Sequence, residues 1–392
     1  MSINTIASVT ILTVALSSAI VVNTPNMSIA DALVPNRAAA AIRPLWISAY
    51  YAIWVQQSGE LTPQQIDFTA MSHIMHFHIT PEADGTIDPV KGGITAAESE
   101  ALLTPAHAAK RKVLICVGGG DTAGKFRPAI SDAVRPTFIA NLMEFVKTRG
   151  YDGIDIDMEP VEESDVPDYS KFIRELRTAI NADGSKLLLT AAVSSQPTMF
   201  ATLAPQFDQV NIMTYDLSGT WTGWKTWHNS PLYDGGSDRL TAARPYPSVQ
   251  ANVQQYLDAG LPASKTGIGA AFYGYIWNGA DAPGQGIQGV TYAASEYHTI
   301  MDQYGTPDHY HWDKQAHAPY LSISAPNAAD RKFISYDNEK LLAEKVAFAR
   351  QRRLGGLILW ELGSGYRNSQ PDGKKDGLLQ AVKRAWLTPA TK

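Results

Sequence analysis

Past the first forty or so residues, short β-branched or apolar runs alternate with longer stretches of helical spacing. The runs are Leu45–Tyr51, His73–Ile79, Lys112–Gly118, Gly153–Glu159, Lys186–Val193, Gln209–Asp216, Lys265–Gly274 and Gly355–Leu362. Between them, Asp168–Asn181 sets Tyr169, Phe172, Ile173, Leu176 and Ile180 near i, i+3, i+4 intervals, which gives a helix one apolar face. Thr137–Arg149 and Asn338–Arg353 have the same spacing, and Gly355-Gly356 reads as a stop signal behind the second. Eight runs alternating with helices predict parallel βαβ units. Eight such units close into an α/β fold of the (β/α)8 TIM barrel type; an open doubly wound sheet is the competing arrangement. In a barrel, polar groups at the C-terminal strand ends carry the chemistry.

One interval breaks the rhythm. Residues 275–332 are too long for a plain βα loop. They contain strand-like pieces at Gly289–Tyr292 and Tyr320–Ile323, so a small subdomain inserted over the mouth is expected within a catalytic unit spanning 45–392. Upstream, the apolar stretch Ile6–Val22 followed by Ser28-Ile29-Ala30 resembles a secretory leader over 1–30, with 31–44 as linker. That predicts a secreted protein without stable membrane association.

Composition narrows the chemistry. Thirty-three Lys and Arg against 38 Asp and Glu give a net charge of −5, so there is no basic footprint for nucleic acid. Cys116 is the single cysteine, which excludes an intrachain disulfide; inside Val113-Leu-Ile-Cys-Val117 it reads as a small buried hydrophobe. His73, His76 and His78 lie in one strand with no supporting ligand helix and read as packing, His76 and His78 on one face. Gly118-Gly119-Gly120 lacks the Lys-Ser/Thr of a phosphate loop. No metal and no cofactor are expected.

The most informative run is Gly153-Ile-Asp-Ile-Asp-Met-Glu159, where acids and apolar residues alternate strictly. In a strand, Asp155, Asp157 and Glu159 then share one face at intervals of about 6.6 Å. Ile154, Ile156 and Met158 share the other. Inside a barrel three such acids cannot all ionise cheaply, so at least one keeps a proton near neutrality. That is the requirement for a general acid. A solvated edge strand or a Mg²⁺ or Ca²⁺ site would also use these residues, but the first ignores the neighbouring barrel strands and no phosphate-binding loop accompanies the second.

Asp152, Asp155, Asp157 and Glu159 resemble the D-x-x-D-x-D-x-E signature of family-18 glycoside hydrolases. Asn211-Ile-Met-Thr-Tyr-Asp216, His228-Asn-Ser-Pro-Leu-Tyr233, the Phe-Tyr-Gly ending at Gly274, Ile334-Ser-Tyr-Asp337 and Gly355–Trp360 are similar to further segments of that family. The resemblance covers essentially the whole chain from Leu45. It implies a chitinase acting on chitin and N-acetylglucosamine oligosaccharides, in which Glu159 protonates the leaving oxygen and the substrate's own acetamide attacks the anomeric carbon, with net retention. It further implies that Asp157 orients the acetamide, Asp155 shares a proton with Asp157, and Tyr215 bonds the acetamide oxygen. Tyr50 would support the inner Asp; Met213, Asp216, Trp221, Tyr273 and Trp360 would line the sugar subsites, Trp360 as floor.

The sequence departs from the family at Cys116, where Ser is usual, at Gly120, where many relatives have a stacking Trp, and at Met158, where many have an aromatic. The shortish insertion and the open position at Gly120 favour endo action, and a monomer is expected. An endo-β-N-acetylglucosaminidase acting on N-glycans or peptidoglycan would keep the same strand, and a chitin-binding lectin would normally lack the acid. Trp54, Trp224, Trp227, Trp277 and Trp312 also fall near strand ends or in the insertion, where an indole face suits either a pyranose ring or core packing.

Overall fold

A computed structural model describes residues 44–87, 93–236, 239–241 and 244–388. The expected leader and linker, apart from Pro44, lie outside the described residues. The strands in chain order are β1 (Trp46–Ala52), β2 (His73–Ile79), β3 (Lys112–Gly119), β4 (Gly153–Met158), β5 (Leu188–Val193), β6 (Gln209–Ile212), β7 (Arg239–Thr241), β8 (Arg244–Pro245), β9 (Thr266–Ala271), β10 (Tyr273–Asn278), β11 (Thr291–Glu296), β12 (Tyr310–Asp313), β13 (Ala318–Ile323), β14 (Lys332–Tyr336) and β15 (Gly356–Trp360). Eight of them close a barrel in the order β1-β15-β9-β6-β5-β4-β3-β2. Every pair in it is parallel. The chain is therefore a (β/α)8 barrel.

Two layers of core follow from the strand period. Residues facing outward, such as Ile154, Ile156 and Met158, join one large cluster with the helices Arg135–Arg149 and Val166–Ala182. Both helices start two residues before the expected points, because Pro136 and Pro167 sit in the first turn, where a proline costs no hydrogen bond. Residues facing inward form a second cluster with Tyr50, Met75, Phe77, Leu114, Cys116, Tyr215 and Ile358.

Several expected boundaries shift for physical reasons. Gln209–Asp216 is a strand only to Ile212, since the Thr214 hydroxyl bonds both the carbonyl and the N–H of Gly269 in place of the ladder. Lys265–Gly274 is two strands: β9 ends at Ala271 beside Trp360, and Tyr273 opens an antiparallel sheet. The helix Glu339–Gln351 ends before the glycine pair. A Cβ at Gly355 would lie 1.9 Å, and one at Gly356 2.3 Å, from the Trp46 ring, so these glycines make room for an indole at the base of the barrel. His76 and His78 do not share a face. The β2–β3 register shifts between His76 and Ile79. His76 bonds Tyr151 and Gln56 on the helix side, while His78 lies against the Gly118 carbonyl.

Between β9 and the helix Glu339–Gln351 the chain forms a five-stranded antiparallel sheet, ordered β11-β10-β14-β13-β12. Its register pairs Trp277 with Tyr292 and Phe333, and Ser335 with both Tyr275 and Tyr320. With a side-chain period of two, these residues and Tyr273 occupy one face. That face meets the segment following β6: Ser335 Oγ accepts from the Asn229 N–H at 2.7 Å, and Asp313 bonds the buried His228 ring.

Candidate active site

Strand β4 delivers the acids. Asp155 and Asp157 are buried in the barrel interior, and Glu159 follows the last strand residue, partly open to solvent. Their neighbour β3 pairs Cys116 with Asp155 and Gly118 with Asp157. Gly118 has φ of 113°, and a Cβ there would stand 1.9 Å from the Asp157 carbonyl oxygen, so only glycine lets the two strands approach at this level.

Asp155 is enclosed by donors. The Tyr50 hydroxyl reaches Oδ2 at 2.7 Å, the Thr190 hydroxyl reaches Oδ1, and the Cys116 thiol makes a third contact. Burial still holds its carboxyl above the usual range, with these bonds pulling the other way. The Cys116 thiol is pushed well up by burial and by the carboxylates beside it, so it stays a neutral donor.

Asp157 is hydrogen-bonded to Glu159, and its Oδ1 has no protein partner although it is buried. Burial, then the neighbouring Glu159 and Asp155, push Asp157 well up. Glu159 is raised to about 7, first by burial and then by the charge of Asp216, with Asp121 adding less; the bond to Asp157 opposes this. One proton held between two acids in a low-dielectric site is cheaper than two bare charges. The pair therefore retains a proton near neutrality.

Around this column stand the other expected residues. Tyr215 is buried, its ring 5.9 Å from and edge-on to Tyr273, in space kept by Gly269, whose Cβ would fall 2.7 Å from the phenol. Met213 and Trp360 pack half-buried on the same cluster. Trp360 lies 5.2 Å from Tyr50 and 4.7 Å from Phe77, and Phe77 continues to the exposed Trp54 at 5.5 Å. Asp216 is exposed, and its Oδ1 accepts from both Tyr273 at 2.6 Å and Tyr275 at 2.7 Å. Trp221 stands apart on the rim, 49% exposed, against Trp224 and the backbone of Gly219.

Thr190, Tyr275 and Phe77 escaped sequence reasoning. Thr190 follows the inward period of β5, the one signal available; Tyr275 gave none, since its partner lies 59 positions away. Trp277 and Trp227 are buried, the latter stacked on Tyr246 at 3.8 Å, and Lys340 caps the Trp312 ring at 3.5 Å. Among the described residues, no three His, Cys, Asp or Glu side chains converge as a metal site, and no helix is long and apolar enough to cross a membrane.

A buried column of acids at the mouth of a barrel, one of them protonated near pH 7, can donate a proton to a ligand oxygen. The profile of glycosyl hydrolases family 18 matches residues 47–365. Chitinase A1 of Niallia circulans is 32% identical over 298 residues, which is 67% of this chain and 42% of that protein. A probable endochitinase of Caenorhabditis elegans is 31% identical over 276 residues, 64% of this chain and 43% of that one. The chain thus spans less than half the length of these relatives. In fold it is similar to the Group IV chitinase of Ostrinia furnacalis, with a TM-score of 0.75 at 22% identity, covering 87% of this chain and 99% of that chain.

Proposed function

The chain belongs to glycosyl hydrolases family 18, and on that premise we propose that it is a secreted chitinase that cleaves β-1,4 links between N-acetylglucosamine units with retention. The observation that carries this reading is the Asp157–Glu159 pair: one acid raised to about 7, and beside it a buried carboxylate oxygen with no partner. Glu159 donates its proton to the glycosidic oxygen. Asp157 then accepts the N–H of the substrate's acetamide at the free Oδ1, and its negative charge offsets the positive charge developing on the attacking acetamide. Asp155, fixed by Tyr50, Thr190 and Cys116, shares a proton with Asp157 during the cycle and holds it while the acetamide is engaged, so that Asp157 is then the anion. Tyr215 donates to the acetamide oxygen, and Trp360 supports the apolar sugar face. Met213, Asp216, Tyr273 and Trp221 line the cleft.

Endo action is part of the proposal. What supports it is Gly120, where a Cβ would meet nothing within 4 Å and where the stacking aromatic of many relatives is missing. A timed product profile on chitin hexamer with anomer detection tests the reading. Initial β-anomers, and mixed product lengths from long chains, are expected; initial α-anomers sink the substrate-assisted route, and dimers alone from chain ends sink the endo assignment. Turnover that fails on every N-acetylglucosamine polymer leaves a chitin-binding protein instead.

A further inference from the structure

Asp216 is held in an unusual way. Its backbone is left-handed, with φ of 56°, a region that non-glycine residues occupy only when something fixes them there. The Asn229 side chain accepts the Asp216 N–H at 2.8 Å. Two phenols, both on β10, then donate to the same carboxylate oxygen. Of these, Tyr273 packs edge-on to Tyr215 and to Tyr275, whereas Tyr275 reaches the acid column through Tyr273 and Asp216. Tyr275 is instead stacked flat on Tyr292 of β11, at 4.1 Å and 6° between planes, and the Tyr292 hydroxyl bonds the Ser218 carbonyl two residues past Asp216. One face of the inserted sheet thus grips Asp216 and Ser218 together, on the short segment that also carries Tyr215.

Building on the reading above, we propose that Tyr275 is a positioning residue for the reaction: backed by Tyr292, it holds Asp216 so that its charge faces Glu159. The groups facing Glu159 are Asp157 from β4, Cys116 from β3, Asp121 from the segment after β3, and Tyr215 and Asp216 from the segment after β6. Those facing Asp216 are Glu159, Tyr215, Tyr273, Tyr275 and Tyr292. Asp216 raises Glu159 more than Asp121 does, and it is the one held by a removable clamp. With one of its two phenols gone, the carboxylate has a single tether and a strained backbone, and it swings toward solvent. Glu159 then gives up its proton at lower pH. The inserted sheet would in this way set the upper pH limit of an acid that belongs to the barrel.

The experiment is a double-mutant cycle on a fluorogenic chitobioside, with kcat/KM measured from pH 4 to 9 for the parent, Tyr275→Phe, Asp216→Asn and the double variant. Phenylalanine keeps the stack on Tyr292, so the fold is retained. The alkaline limb is expected to move down by about 0.5 pH unit in Tyr275→Phe, about a threefold change in protonated fraction. It moves further in Asp216→Asn, and no further when both are changed. An unmoved limb in Tyr275→Phe overturns the proposal, as does an equal added shift in the Asp216→Asn background. A parent that turns over nothing removes the chitinase reading itself. The clamp is then judged by hydrogen exchange of the peptide spanning 213–219, expected to quicken in Tyr275→Phe; an unchanged rate overturns it.

Discussion

Replacing Glu159 with glutamine should cut activity sharply and at the same time make the protein less sensitive to alkali. In the native protein Glu159 holds its proton up to about pH 7, against an ordinary value of 4.5. Between those values the folded chain binds a proton that the unfolded chain has released, so stability falls as pH rises. The contribution is fully present below pH 4.5 and is lost once pH passes about 7. At about 1.4 kcal/mol per pH unit, that interval caps the loss at about 3 kcal/mol. Glutamine cannot ionise, and it also removes the charge that pushes Asp157 up, so both effects act in the same direction. Urea denaturation of parent and Glu159→Gln at pH 5 and pH 8 measures it: the variant should lose about 2–3 kcal/mol less between the two pH values. Its kcat should drop by about 10²–10⁴-fold, the usual contribution of a positioned acid. Equal pH sensitivity of the two proteins would refute the buried shared proton, whatever happened to activity.

Tyr50→Phe leaves one oxygen of the buried Asp155 without its donor. A loss of about 1–3 kcal/mol in denaturation is expected, with a fall in kcat because the acid column is less well held. Cys116 should be inert to a disulfide-exchange reagent in the native protein and give one equivalent after unfolding, since burial and nearby carboxylates keep the thiol neutral; fast native labelling would contradict this. Lys345→Met strips the partner from Asp337, which is 1% exposed, and should cost about 3–5 kcal/mol at pH 8. Burial already holds Asp337 above its usual range, so it can take up a proton as pH falls, and the same denaturation at pH 5 should show a smaller loss.

What could be read from sequence was whatever depends on one segment alone. Alternation in Gly153–Glu159 is enough to stack three acids on one face, because a strand turns each second residue the same way. The eight runs likewise placed the barrel. What could not be read depends on residues far apart in the chain. The threonine Thr190 looks like any other member of its strand until β5 pairs with β4 and brings it opposite Asp155. Gly355 and Gly356 follow a helix and so resemble a helix stop; only the parallel pairing of β1 with β15 brings Trp46 against them. The two histidines of β2 part company because of a register shift, and nothing in an apolar run announces one.

The tuning of the site belongs to this second kind. An acid buried in a barrel strand is already raised by desolvation, and that much follows from its position in β4. How far it is raised depends on Asp216, which comes from the segment after β6 and is gripped by phenols of a separate sheet. Cys116 acts at the other end of the column, on Asp155, where a thiol bonds more weakly than a hydroxyl. The proton shared by Asp157 and Glu159 therefore lies between two controls that can vary independently. A change at Cys116 alters how firmly the lower acid is held as an anion, and a change at Tyr275 alters the field at the upper one. If both controls act, substitutions at the two positions should shift the alkaline limb additively, because one acts on Asp155 and the other on Asp216.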